Sequence, residues 1–130
     1  MVEETDHKVC YGYLLRLHPE EGANRIVTDV WLYNLAPAPE TGEWTLPDAR
    51  QRLPFLNAAG FVAGDGTLSS GHPGHIEAKW SADPEGKLMS DVYVDGVHFA
   101  RMNAESKPGW SKLAIRKNAI AIPLDDLQRR

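Results

Sequence analysis

The chain has 130 residues, enough for one domain that buries roughly two-thirds of its unfolded surface without disulfide or metal staples. It is 42% hydrophobic and 25% charged with a net charge of -4, which excludes collagen-like, low-complexity and highly charged disordered classes. No apolar run approaches the ~18 residues of a membrane helix, the acidic start "MVEETDHK" lacks the parts of a signal peptide, and the single cysteine, Cys10, can form no internal disulfide. The expectation is a cytoplasmic protein with no membrane partner.

Residues 1–7 read as a loose start. In "VCYGYLLRL", residues 9–17, Val9, Tyr11, Tyr13, Leu15 and Leu17 alternate with Cys10, Gly12, Leu14 and Arg16, a period of two that argues for a strand. Gly12 inside it implies a bulge or a close backbone approach. A turn at "HPEEGAN", 18–24, leads into "RIVTDVWLYNL", 25–35, whose β-branched and aromatic content predicts a second, antiparallel strand. Its centre, "VWLY", is apolar on both faces and should be covered on both. Pro37 and Pro39 end it.

"TLPDARQRLPFLNAAG", 45–60, is the best helix candidate. Thr45 suits the cap, Pro47 and Asp48 the first turn, and Gly60 the stop. Pro54 should split it into two short turns or a kink. Residues 62–74 are glycine-rich and irregular. An antiparallel meander follows: "HIEAKWSA", a turn at 83–86, "KLMSDVYV", the turn Asp95-Gly96, and "VHFARM". A two-residue loop at Asp95-Gly96 pairs Val94 with Val97 and Val92 with Phe99 on one face, and Tyr93 with His98 on the other. In "GWSKLAIRKNAIAIPL", a turn at Lys117-Asn118 would oppose Ile115 to Ile120 and Leu113 to Ile122; a helix over 111–121 is the alternative. The fold expected is a single α+β domain, residues 1–130, dominated by an antiparallel sheet with a hairpin, a short helical segment and a meander. One face of such a sheet is free for a second copy, which allows a homodimer through the exposed sheet face.

The chemistry-bearing residues are few. "GHPGH" places His72 and His75 around Pro73 and Gly74, so they cannot share a helix face. A zinc site needs three or four protein ligands, and no HExxH, CxxC pair or EF-hand loop supplies them; no metal or other cofactor is expected, and the stretch reads as a loop. His98 with Tyr93 and Asp91 makes a trio capable of acid-base work, although such trios are more often a covered sheet face. No nucleophile motif exists, Cys10 sits in an apolar strand, and the glycines of "AGDGTLSSG" lack the lysine of a phosphate loop. Trp31 and Trp80 fall in strands and should be core. Trp44 and Trp110 fall beside proline and glycine, where an aromatic either folds back or anchors a partner.

The acidic body carries a mildly basic stretch over 101–130. That is not the clustered basic face that phosphate tracking requires, which argues against nucleic acid. The leading function is therefore a non-enzymatic binding module, of a partner-binding, inhibitor-type or small-ligand-carrying kind, acting through Trp44, Trp110, Tyr93 and His98. A small hydrolase or isomerase using His98 or the His72/His75 loop is one alternative, and a subunit of a nucleic-acid-associated or larger assembly is another.

Overall fold

The structure is a computed structural model, and it describes residues 2–5, 9–18, 23–40, 56–69 and 73–129. Among them, strands β1 (Val2–Thr5), β2 (Val9–His18) and β3 (Ala23–Asn34) form one antiparallel sheet in that order. Strands β4 (Ile76–Ala82), β5 (Leu88–Val94), β6 (Val97–Asn103), β7 (Trp110–Ser111) and β8 (Ile122–Pro123) form a second sheet, also in chain order. Its neighbours are antiparallel except β7 and β8, which run parallel.

The strands expected over 9–17 and 25–35 and those of the meander are present, and β3 is buried on both faces. Thr28, Val30, Trp31, Leu32, Tyr33 and Asn34 are all buried, as its unbroken apolar run requires. Its free edge is taken up by loops from elsewhere in the chain. The Trp31 N–H donates to the Ile120 carbonyl at 2.9 Å, the Gly109 N–H to Asp29 at 2.8 Å, and the Asn34 N–H to Gly66 at 2.7 Å. One apolar core joins the two sheets, with Val30, Leu32, Val92, Ala100 and Met102 at its centre. Gly12 allows the close approach anticipated for it: a Cβ there would lie 3.3 Å from the Met102 methyl.

Several expectations need correction. Residues 2–5 are not a loose start but pair with β2 from Val2↔Tyr13 to Thr5↔Cys10. Of the helix expected over 45–60, residues 45–55 lie outside the described residues. The remainder, Leu56 to Gly60, is not helical; there the Ala59 N–H bonds to the Pro39 carbonyl. The described residues are therefore mostly β, and their one helical piece is a 3-10 turn at Leu124–Arg129. Residues 109–123 form neither the expected hairpin nor the alternative helix over 111–121. The Ile115 N–H bonds to Phe61 and the Ala63 N–H to Leu113, so the middle of this stretch pairs with an earlier loop, while its ends, β7 and β8, pair in parallel instead of as an antiparallel hairpin. The Asn118 side chain then turns the chain by accepting from the N–H groups of Ile120 and Ala121, both at 3.0 Å.

The meander register also differs. Asp95 and Gly96 both have positive φ, 49° and 83°, as a type I′ turn demands, and Val94↔Val97 and Tyr93↔His98 pair as expected. Val92, however, opposes Ala100, because a bulge at Phe99 inserts one residue into β6. The bulge keeps Phe99 and Ala100 both in the core, at 4% and 0% exposure. It also sets Asp91 opposite Arg101.

Gly109 tests how tightly the sheets are joined. A Cβ there would lie 2.6 Å from the Arg101 carbonyl oxygen and 3.2 Å from Val30 Cβ, and backbone cannot yield as a flexible side chain does. Gly109→Ala should therefore cost about 2–3 kcal/mol, read from the denaturant midpoint at constant slope; an unchanged midpoint would contradict this packing.

Candidate functional site

Two places on the molecule have chemistry to offer. The first is the outer face of the meander, where β5 and β6 present Asp91, Tyr93, His98 and Arg101 and β4 presents Lys79. Asp91 Oδ1 accepts from Arg101 Nε at 2.7 Å, Arg101 Nη2 reaches Oδ2 at 3.2 Å, and His98 Nε2 lies 2.8 Å from Oδ1. The Tyr93 and His98 rings lie 5.2 Å apart, tilted by 34°, and Lys79 Nζ stands 4.6 Å above the Tyr93 ring.

This arrangement follows from the register. A regular ladder would have put Ala100 opposite Asp91; the bulge puts Arg101 there, and the guanidinium grips the carboxylate in the two-pronged way its fork favours. Burial pushes the Asp91 carboxyl upward, but the hydrogen bonds from Arg101 and His98 and their charges outweigh it and hold the group below its ordinary value of 3.8. A carboxylate so saturated is a poor general base. It can orient the His98 imidazole, as catalytic dyads do; among the described residues the imidazole meets Asp91 and the Tyr93 ring.

The second place is a groove between the sheets. Its volume is about 490 Å³, within the ordinary range of small-ligand pockets. Leu14 and Leu15 of β2, Val27 of β3, Trp80 of β4 and Leu88 and Met89 of β5 supply its apolar lining. Trp80 is 51% exposed and Leu88 63% exposed, so both offer open apolar surface to whatever enters. The rim is charged. Lys87 is bonded to Glu105 and lies 3.5 Å from Glu85; the hydrogen bond and charge of Glu105 raise its pKa above the ordinary lysine value. Arg16, also at the rim, is exposed and forms no recorded hydrogen bond or ion pair among the described residues.

The residues singled out from the sequence are scattered. Tyr93 and His98 do come together. Trp110 folds back and is 6% exposed at the start of β7. Trp44 and His72 lie outside the described residues. His75 sits on the surface with its Nε2 3.9 Å from Glu77, and its backbone N–H donates to Asp95 Oδ1 at 2.8 Å. Trp31 is fully buried, as expected, whereas Trp80 is not core: β4 is an edge strand, and its indole lies on the wall of the open groove. The groove was missed because it joins residues about seventy apart in sequence. The one local signal is Leu88, an apolar residue directly after the "DPEGK" turn.

Among the described residues no three His, Cys, Asp or Glu side chains gather as a metal site, and no helix is long and apolar enough to cross a membrane. Compared with known protein families, characterised proteins and solved structures, the chain matches none.

The Asp91 cluster makes a defined pH prediction. Because its folded pKa is lowered, the ionised carboxylate stabilises the fold fully above about 3.8, and that contribution is lost as pH falls through the lower folded value. Asp91→Asn should cost about 1.5–3 kcal/mol at pH 7, the scale of hydrogen bonds to charged groups. The gap to wild type should narrow steadily below pH 4 in acid-unfolding curves; a constant gap would mean that Asp91 is not ionised in the fold.

Proposed function

We propose that the chain is a non-enzymatic binding protein that carries a small amphipathic ligand, with the ligand's apolar body in the groove and an anionic head against Arg16. The observation that carries this reading is the groove itself: an open apolar cavity of about 490 Å³ with half-exposed Trp80 and well-exposed Leu88 on its wall. Such open apolar side chains lining a concavity mark binding sites more often than chance exposure does. Arg16 supplies the polar anchor that fixes orientation, since Lys87 is already engaged by Glu105. The lone, buried Cys10 supports a working place in a reducing compartment, the cytoplasm.

A second reading, a small hydrolase or isomerase, is favoured by the 2.8 Å contact between His98 and Asp91. It is the weaker one, because Arg101 already occupies the carboxylate through both of its oxygens.

Calorimetric titration with a medium-chain fatty acid and with the corresponding alcohol separates the readings. Leu88→Asp should weaken both ligands by about 2 kcal/mol, the scale of a lost leucine contact, and should leave the fold intact because Leu88 is exposed. Arg16→Glu should weaken the acid by about 1–2 kcal/mol while leaving the alcohol nearly unchanged. His98→Ala should change neither. Loss of binding in His98→Ala with no effect of Leu88→Asp would move the site to the meander face.

A further inference from the structure

We propose that strand β4 is a dimerisation edge, joining two copies of the chain into one continuous antiparallel sheet with the two-fold axis through Ala78. Strand β4 is the first strand of its sheet, so one of its edges has no partner among the described residues. Its seven residues run without proline and without a shift in register, whereas the β2/β3 and β5/β6 pairs both contain bulges. Edges that must stay alone are commonly broken by proline or a bulge or guarded by charge; this one is straight, and its two charges, Glu77 and Lys79, are of opposite sign.

The direction of its backbone groups is fixed from both ends. The His75 carbonyl accepts from Asp95 N–H at 2.8 Å, and the Asp83 N–H donates to the Lys87 carbonyl at 2.9 Å. Both residues therefore point their backbone groups toward the β5 side. In an antiparallel ladder the direction alternates with each residue. Glu77, Lys79 and Ser81 then also point inward, and Ile76, Ala78, Trp80 and Ala82 turn their N–H and C=O groups to the open edge, where they meet no partner among the described residues.

Charge selects the register. An axis at Glu77 or at Lys79 would set each residue against its own copy, like charge against like. An axis at Trp80 would oppose Glu77 to Asp83, and one at Ile76 would leave half the strand unpaired. With the axis at Ala78, Glu77 faces Lys79 of the partner subunit and Lys79 faces Glu77 of the partner subunit, two reciprocal ion pairs on the outer face. On the opposite face Trp80, 51% exposed, lies across from Ile76 of the partner subunit. Ala78 meets its own copy as a hydrogen-bonded pair, with little side chain to obstruct the axis. One register thus satisfies the outward backbone groups, the charges and the exposed indole together. Such a contact is isologous and closes at two copies.

Sedimentation equilibrium of the full chain should give a mass near twice 14.4 kDa that falls toward the monomer on dilution. Glu77→Lys places like charges at both pairs and should weaken association by about tenfold or more; adding Lys79→Glu should restore it. Ala78→Cys should form a disulfide-linked dimer on mild oxidation, since Cα atoms of a hydrogen-bonded pair lie about 5.5 Å apart. Ala82→Cys, whose copy lies far along the pair, should not. A monomeric mass at every concentration overturns the proposal, as does equal cross-linking of the two cysteine variants or a dimer indifferent to Glu77→Lys. Should Glu77→Lys fail to fold, the cysteine pair decides alone.

Discussion

The hydrogen bond from Trp31 N–H to the Ile120 carbonyl, 2.9 Å long, belongs to a set that closes the second edge of β3. Its first edge is paired with β2 along the strand. With cover on both faces and partners on both edges, β3 has no freedom left, and the two sheets are fixed relative to each other through it. Gly109, which sits against both Val30 and the Arg101 carbonyl, marks where that constraint is tightest. The groove depends on it. Leu14, Leu15 and Val27 come from the β2/β3 hairpin and Trp80 and Leu88 from the meander, so the groove is built from both of the sheets that β3 joins.

Small departures from ideal pairing do most of the positioning. The bulge at Phe99 keeps two successive residues of β6 in the core and re-aims Arg101 at Asp91. The β2/β3 pair shifts register at Cys10/Tyr11 and Leu14/Leu15; at the second shift the extra residue is Val27 of β3, which lines the groove beside Leu14 and Leu15. The outer face of the meander is thereby filled with groups that satisfy one another, whereas the groove keeps its apolar surface open. That contrast is the physical ground for placing ligand binding in the groove and a stabilising role on the meander face.

Much of this was legible in the sequence, and what was not has a common cause. The alternation in 9–17, the β-branched run in 25–35 and the Asp95-Gly96 turn are local signals, and the strands they predict are present. Asp91, Tyr93 and His98 could be placed on one face because they lie close to a single turn. Arg101 could not, since a bulge leaves no mark that alternation reveals when Phe99 and Ala100 are both apolar. Trp80 was expected in the core because its strand alternates like any other; that β4 is an edge strand is a property of sheet order, which is set by distant pairing. The same holds for 109–124, where apolar spacing suggests an antiparallel hairpin, whereas Leu113 and Ile115 bond to Ala63 and Phe61 and the two ends pair in parallel.

The central claim, that the groove is the binding site, is tested most directly by residue-resolved NMR during titration with a medium-chain fatty acid. The side-chain signals of Leu14, Val27, Trp80 and Leu88 should move together and saturate, while those of Tyr93, His98 and Arg101 stay in place. Shifts confined to the Tyr93/His98/Arg101 face, or no saturable shift at the groove, would contradict the account.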